Sequence, residues 1–208
     1  IMTINEIKDL FFHAAETLAA QELELCRIDA ETGDGDHGIA IARVARAIQA
    51  AASESTSDTA AFFSAICANI MKINGGSCIP LCANIFDGMA DAAAVSQDGV
   101  SLMKAVFAGA LEGIRFISSA KVGEKTMLDA LIPAVDAAQR CDGDELAVLR
   151  AAADAAQAGS DATRNMKARY GRAKNLPDGG VGHLDAGSVS IAVFLRALYQ
   201  SAVETERK

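Results

Sequence analysis

The chain of 208 residues contains no Trp, only two Tyr and only three Pro. Its hydrophobic share of 51% comes more from Ala than from β-branched or aromatic residues. Ala favours helices, whereas strands are rich in β-branched and aromatic side chains. No shift in composition marks a linker between two domains. The sequence therefore predicts an all-α fold and one domain that covers residues 1–208.

No uninterrupted apolar run reaches the roughly 20 residues that span a bilayer, and the N-terminal segment lacks the features of a signal peptide. Zinc is also unlikely to be bound, since no C-x-x-C pair occurs and no His lies near the closest two thiols, Cys78 and Cys82. The odd set of five cysteines is typical of reduced thiols: Cys26, Cys67, Cys78, Cys82 and Cys141. We therefore expect a cytoplasmic protein with no membrane segment.

Basic residues are in the minority, with 19 Lys and Arg against 27 Asp and Glu, a net charge of −8 and a pI near 4.9. This balance argues against binding to nucleic acid or to an anionic membrane. The sequence contains no Walker loop, no Rossmann fingerprint and no G-x-S-x-G elbow. The familiar nucleotide-binding folds are therefore excluded by their motifs.

Apolar residues recur with helical spacing through most of the chain. The first such stretch predicts one helix over residues 4–28, and Pro133 is expected to bend a helix that follows residue 126. The remaining predicted helices cover residues 39–48, 60–73, 80–94, 100–119, 145–158 and 188–203. The segments that interrupt this pattern are the candidates for a functional site.

The most informative interruption is Asp29-Ala-Glu-Thr-Gly-Asp-Gly-Asp-His-Gly38. Its three carboxylates, on Asp29, Asp34 and Asp36, can be brought together by a glycine-rich backbone, and such crowding requires protons or a cation. Oxygen ligands favour Mg²⁺ or Ca²⁺. An EF-hand loop is excluded because its fifth and twelfth positions would be Gly and Ala. Mg²⁺ therefore fits best, and the alternative is a simple turn in which Asp36 caps the next helix.

Two short turns precede predicted helices. Gly75-Gly76-Ser77 can present successive N–H groups to a phosphate, although an ordinary connection between helices has the same composition. Thr126-Met-Leu-Asp129 has the form of a capping box, and helix capping alone would explain it. Neither turn identifies a site without further information.

The longest interruption, residues 166–187, is rich in Gly and polar side chains. Loops of this length inside a compact domain are usually functional or disordered. This one concentrates positive charge in an acidic protein, as a site for an anionic ligand requires: Lys167, Arg169, Arg172 and Lys174. A mobile, solvated loop is the alternative.

Taken together, these motifs resemble the L subunit of dihydroxyacetone kinase. The resemblance rests on Asp29-x4-Asp34-Gly-Asp36-His-Gly38, Gly75-Gly76-Ser77, Gly123-Glu-Lys-Thr-Met127 with Asp129, and Gly171-Arg-Ala173 followed by Gly182-His-x-Asp185-x-Gly187. It implies eight antiparallel amphipathic helices arranged as a barrel, with ADP or ATP bound at one end. It also implies two Mg²⁺ ions, held by Asp29, Asp34 and Asp36, that bridge the phosphates.

The resemblance further implies which residues contact the nucleotide. These are His37, the helix start with Gly75, Gly76, Ser77 and Cys78, Thr126 and Met127 beside the adenine, Arg172, and Asp185 in the matching turn of the long loop. Arg172 would serve catalysis together with the three Asp residues. The chain departs from the family pattern at Cys78 and Ile79, where Ser and Gly are usual. This departure puts the phosphate contacts in question and leaves room for a triose or tetrulose other than dihydroxyacetone.

In this family a separate K subunit holds the ketose, so the resemblance implies such a partner. The nucleotide is either exchangeable ATP or a held ADP that a phosphotransferase-system M subunit rephosphorylates, and an L-type chain without a K domain favours the second. A non-catalytic adaptor for a transcription regulator and a nucleotide hydrolase acting alone are the alternatives. A homodimer is a further assembly that the sequence leaves open.

Overall fold

The structure is a computed structural model that describes residues 2–56, 58–96 and 99–206. Over these ranges it contains nine α-helices and no strand, which confirms the all-α prediction. The helices are α1 (Ile4–Ala19), α2 (Glu22–Ala30), α3 (His37–Ser53), α4 (Thr59–Ile70), α5 (Cys78–Ala94), α6 (Val100–Arg115), α7 (Leu128–Arg140), α8 (Glu145–Ala162) and α9 (Ala186–Glu206).

The prediction of a single helix over residues 4–28 is wrong. The first helix ends at Ala19, and after Ala20 and Gln21 a second helix, α2, begins at Glu22. No Gly or Pro marks the break. Its cause is tertiary, since the first residue of α2, Glu22, lies against Gly38 of α3. Gly38 at the start of α3 allows this approach: a Cβ atom there would collide with the Glu22 carbonyl oxygen. The break brings Asp29, at the end of α2, next to the start of α3.

Eight of the helices form a closed ring in chain order. Starting from α1, each contacts the next, through α3, α4, α5, α6, α7 and α8 to α9, and α9 packs back against α1. The short α2 lies on this ring. A closed ring is what a helical barrel requires, while the alternating direction of its helices stays a prediction.

Apolar side chains fill the ring. Phe11 of α1 makes edge contacts with Phe62 and Phe63 of α4 and with Phe194 of α9, with ring centroids 5.2–5.7 Å apart. Beside these rings lies an apolar cavity of about 150 Å³. The core is therefore mainly hydrocarbon, and the polar groups that could bind a ligand are found where helices begin and end.

One described helix is long and apolar enough to cross a membrane by length and composition, namely α9 from Ala186 to Thr205. Arg196 and Glu204 interrupt this segment, so it is not an uninterrupted apolar run. Within the fold 56% of this window is buried, and α9 contacts both α1 and α8. These contacts are those of a core helix.

Candidate functional site

The acidic turn brings its three carboxylates together. One oxygen each from Asp29, Asp34 and Asp36 lies within 4.8 Å of the other two. The N–H groups of Gly35 and His37 donate to Asp29 Oδ2 at 2.9 and 3.3 Å, which orients that carboxylate. Gly35 has a φ of +77°, a conformation that Gly adopts without strain. The sequence therefore folds this turn around the Asp29 side chain.

The alternative role for Asp36 as a helix cap is not supported. Asp36 occupies the N-cap position of α3, but its side chain accepts no capping hydrogen bond within the described chain. Asp29 instead receives the first N–H of the helix, from His37. The Asp36 side chain is exposed.

The residues of this turn fit a hard divalent cation. All three donors are carboxylate oxygens, and Mg²⁺ prefers oxygen ligands at about 2.0–2.1 Å. At that bond length two oxygens on one ion lie about 2.9–4.1 Å apart, so oxygens as far as 4.8 Å apart need side-chain shifts of about 1–2 Å to share it. The exposure of Asp34 and Asp36 leaves room for water or phosphate oxygens to complete the coordination shell.

The long loop reaches the acidic turn through Arg172. Its Nη2 lies 2.5 Å from Asp34 Oδ2, and the Arg172 side chain is 69% exposed. The loop is ordered by backbone hydrogen bonds from Ala168 N to Gly179 O at 2.9 Å and from Arg169 N to Glu124 O at 3.1 Å. These bonds disfavour the alternative of a mobile loop. Of the four basic residues noted in the sequence, Arg172 is the one whose described contact is with the acidic cluster.

The start of α5 lies beside the same cluster. The helix begins at Cys78, two residues earlier than predicted, after the Gly75-Gly76-Ser77 turn. A Cβ atom at Gly76 would meet no described atom within 4 Å, so the turn is open to a ligand. Burial raises the pKa of the Cys78 thiol to about 11, and the nearby Asp36 and Asp29 carboxylates add to the rise. Cys78 is therefore a neutral thiol near the carboxylates and not a thiolate ligand.

His37 is already engaged by the protein. Its Nε2 lies 2.7 Å from Ser190 Oγ on α9, so the first residue of α3 is connected to the last helix. Burial lowers the pKa of His37, although the Asp29 and Asp36 carboxylates oppose the change. The ring is thus predominantly neutral at pH 7, and its predicted contact with nucleotide stays a prediction.

The Thr126-Met127 turn is held by Asp129. The Asp129 side chain is fully buried and accepts hydrogen bonds from Gly123 N at 2.6 Å and Thr126 N at 2.7 Å. The second bond is half of the predicted capping box, while Thr126 Oγ1 accepts from Leu128 N at 3.2 Å. Met127 packs beside Gly187 at the start of α9. Half of the predicted capping box is therefore present, and the turn lies next to the start of α9.

Asp185 caps α9, because its Oδ2 accepts from Ser188 N at 2.6 Å. Burial raises its pKa to about 7, and Asp129 and Asp29 add to the rise. An acid with a folded-state pKa above its ordinary value stabilises the fold while protonated. That contribution is present below about pH 4 and is lost as the pH rises through 7.

We expect the free energy of unfolding to fall between pH 5 and pH 8 because of Asp185. At about 1.4 kcal/mol per pH unit up to a pKa of about 7, the loss between pH 5 and pH 8 is at most about 3 kcal/mol. Urea unfolding at both pH values measures it. The Asp185→Asn variant keeps a capping oxygen but cannot titrate, so it should lack this part of the loss. Equal pH dependence in the two proteins would contradict the assignment.

Three contacts between distant parts of the chain could not be found from the sequence. His183 Nδ1 lies 3.0 Å from Glu31 Oε2 and joins the long loop to the acidic turn. The Ser190 hydroxyl on α9 is hydrogen-bonded to the His37 ring. Lys125 is buried, and its ammonium donates to the carbonyl oxygens of Thr163 and His183. His183 and Lys125 lie within motifs that the sequence did single out, but no pattern of spacing identified their partners.

This combination defines a class of all-α domains with a carboxylate cluster that could hold a hard cation where the helices meet their connecting loops. The chain belongs to the DAK2 domain family, whose model matches residues 31–200. It is similar to the ADP-binding subunit DhaL of PEP-dependent dihydroxyacetone kinase 1 from Listeria innocua, with 33% identity over 86% of this chain and 87% of that protein. The corresponding subunit from Escherichia coli is 27% identical over 96% of this chain and 98% of that protein.

Longer kinases also match. The D-erythrulose kinase of Mycolicibacterium smegmatis is 33% identical over 88% of this chain, which corresponds to 33% of that enzyme. The crystal structure of dihydroxyacetone kinase from Citrobacter freundii in complex with AMP-PNP and Mg²⁺ superposes with a TM-score of 0.75 and 27% identity, over 93% of this chain and 33% of that one. The predicted family is therefore confirmed, and its relatives are kinases or kinase subunits.

Proposed function

We propose that this protein is the nucleotide-binding subunit of a dihydroxyacetone-type kinase. It would transfer a phosphoryl group from Mg²⁺-bound adenine nucleotide to a hydroxyl of a small ketose. The observation that carries the proposal is the cluster of Asp29, Asp34 and Asp36, with Arg172 2.5 Å from one of its carboxylates. Phosphoryl transfer requires mainly positioned cations and hydrogen-bond donors around the phosphates.

The residues would take four roles. Asp29, Asp34 and Asp36 would hold Mg²⁺, in two ions according to the family resemblance, and the metal would neutralise charge on the phosphates. The open turn of Gly75, Gly76 and Ser77 and the first N–H groups of α5 would receive phosphate oxygens. The nucleoside would be contacted by Thr126, Met127 and His37. Asp185 would contribute indirectly, because it caps α9 and so fixes where that helix begins. Arg172 would stabilise the charge that develops during transfer.

The ketose would be held by a K-type partner subunit. Dihydroxyacetone is the first candidate, and the similarity to an erythrulose kinase supports a tetrulose as the second. Similarity to two PEP-dependent ADP-binding subunits favours a held ADP and an M-type phosphotransferase-system partner. The free thiols of all five described cysteines agree with a cytoplasmic setting.

The first test is to purify the protein without added nucleotide, denature it, and quantify adenine nucleotide and Mg²⁺. We expect close to one ADP per chain, accompanied by Mg²⁺. Protein that is empty but binds ATP with Mg²⁺ would instead indicate an exchanging kinase subunit.

Reconstitution then tests catalysis. The protein is mixed with a K-type subunit and dihydroxyacetone or erythrulose, with either ATP or a phosphorylated M-type subunit as donor. Phosphorylated ketose with one donor supports the proposal. If no donor gives product, the proposal is wrong and a regulatory module becomes the better interpretation.

A further inference from the structure

Lys125 has an environment that is unusual for a lysine. It is 3% exposed, and its φ of 61° makes it the non-glycine residue with positive φ in the described chain. Both features are costly, because lysine loses hydration on burial and a side chain is strained in this region. A residue that carries both costs is expected to be fixed by its surroundings.

The surroundings are two backbone carbonyls from distant parts of the chain. The Lys125 ammonium donates to Thr163 O, at the end of α8, at 2.6 Å and to His183 O in the long loop. Thr163 Oγ1 in turn accepts from Asp185 N at 3.0 Å. Lys125 therefore connects the turn of residues 123–127 with the two segments that precede α9.

Asp129 fixes the same turn from the other side. Its two oxygens bind the N–H groups of Gly123 and Thr126, which flank Lys125. Gly159 of α8 lies against the Asp129 backbone, where a Cβ atom would collide with the Asp129 carbonyl oxygen. The turn is thus held by two buried charged groups. The Asp129 carboxylate binds its N–H groups, and the Lys125 ammonium binds the carbonyls of Thr163 and His183.

We propose that Lys125 is a positioning residue that holds Thr126 and Met127 in place for the nucleoside part of the bound nucleotide. The inference rests on the proposed function. Because its ammonium is buried and bonded to two carbonyls, Lys125 acts through the turn and does not touch phosphate. The acidic cluster does not depend on it directly, since Asp29 is oriented by the N–H groups of Gly35 and His37.

The test is calorimetric titration of nucleotide-stripped protein with Mg·ADP and with Mg·pyrophosphate. Pyrophosphate reports on the cluster and Arg172 but cannot reach the nucleoside side. We expect Lys125→Met, which keeps the aliphatic stem, to weaken Mg·ADP binding by about tenfold to a hundredfold, as misplacement of a binding group does. Mg·pyrophosphate should stay within about threefold of wild type.

Two controls keep the test decisive. Val148→Ala, in the fully buried part of α8, lowers stability without touching the turn and should leave ADP affinity unchanged. If Lys125→Met does not fold, Asp129→Asn, which weakens the same turn, replaces it. Unchanged ADP affinity, or an equal loss for both ligands, would overturn the positioning role alone. Wild-type protein that binds neither ligand would overturn the proposed function and this role with it.

Discussion

Replacing Asp36 with Asn is expected to abolish Mg²⁺-dependent binding of adenine nucleotide. The change removes one of three carboxylates whose oxygens lie within 4.8 Å of one another. An amide oxygen carries no full charge and binds a divalent ion more weakly. Loss of residues that only support a metal ligand already costs 10- to 100-fold in affinity. For a direct ligand we expect the affinity for Mg·ADP to fall by at least about a hundredfold.

Asp36 is the most informative of the three positions. Asp29 also accepts hydrogen bonds from the turn, and Asp34 pairs with Arg172. The Asp36 side chain makes no capping bond within the described residues, so its replacement should leave helix content and unfolding temperature close to wild type. Calorimetry with Mg·ADP, with circular dichroism as the control for folding, measures both effects. Binding within threefold of wild type in the folded variant would contradict the metal-ligand role.

The acidic turn could be predicted from the sequence because all its parts are local. Asp29, Asp34 and Asp36 lie within eight residues, and glycines between them permit one compact turn. The same holds for the Thr126 and Asp129 pair, whose bond spans three residues. Where partners are close in the chain, residue type and spacing suffice to predict their contact.

Contacts between distant segments could not be predicted in this way. Lys125 bonds to carbonyls 38 and 58 residues further along the chain, and backbone acceptors have no signature in residue type. The break between α1 and α2 likewise depends on packing against α3 and α9. The sequence singled out four basic residues in the long loop, but only the path of that loop determines that Arg172 meets Asp34.

Arg172→Ala is expected to lower the rate of ketose phosphorylation by about 10²–10³-fold while weakening Mg·ADP binding much less. The Arg172 guanidinium contacts the Asp34 carboxylate of the proposed metal site. A phosphate bound there would gain negative charge during transfer, and Arg172 would stabilise that charge. Removal of one such donor typically costs 10²–10³-fold in turnover. Arg172→Lys should also be slow, because lysine lacks the planar fork of N–H donors that arginine presents.

Arg169→Ala is the matched control, since Arg169 lies three residues away, is 75% exposed and pairs with Glu124 instead. Both changes affect exposed ion pairs, each of which contributes about 0–1 kcal/mol, so both variants should fold. The reconstituted kinase assay, at saturating nucleotide, separates turnover from binding. If the Arg172 and Arg169 variants lose activity equally, Arg172 contributes only general positive charge. A loss confined to Arg172 would identify it as the residue that links the long loop to phosphoryl transfer.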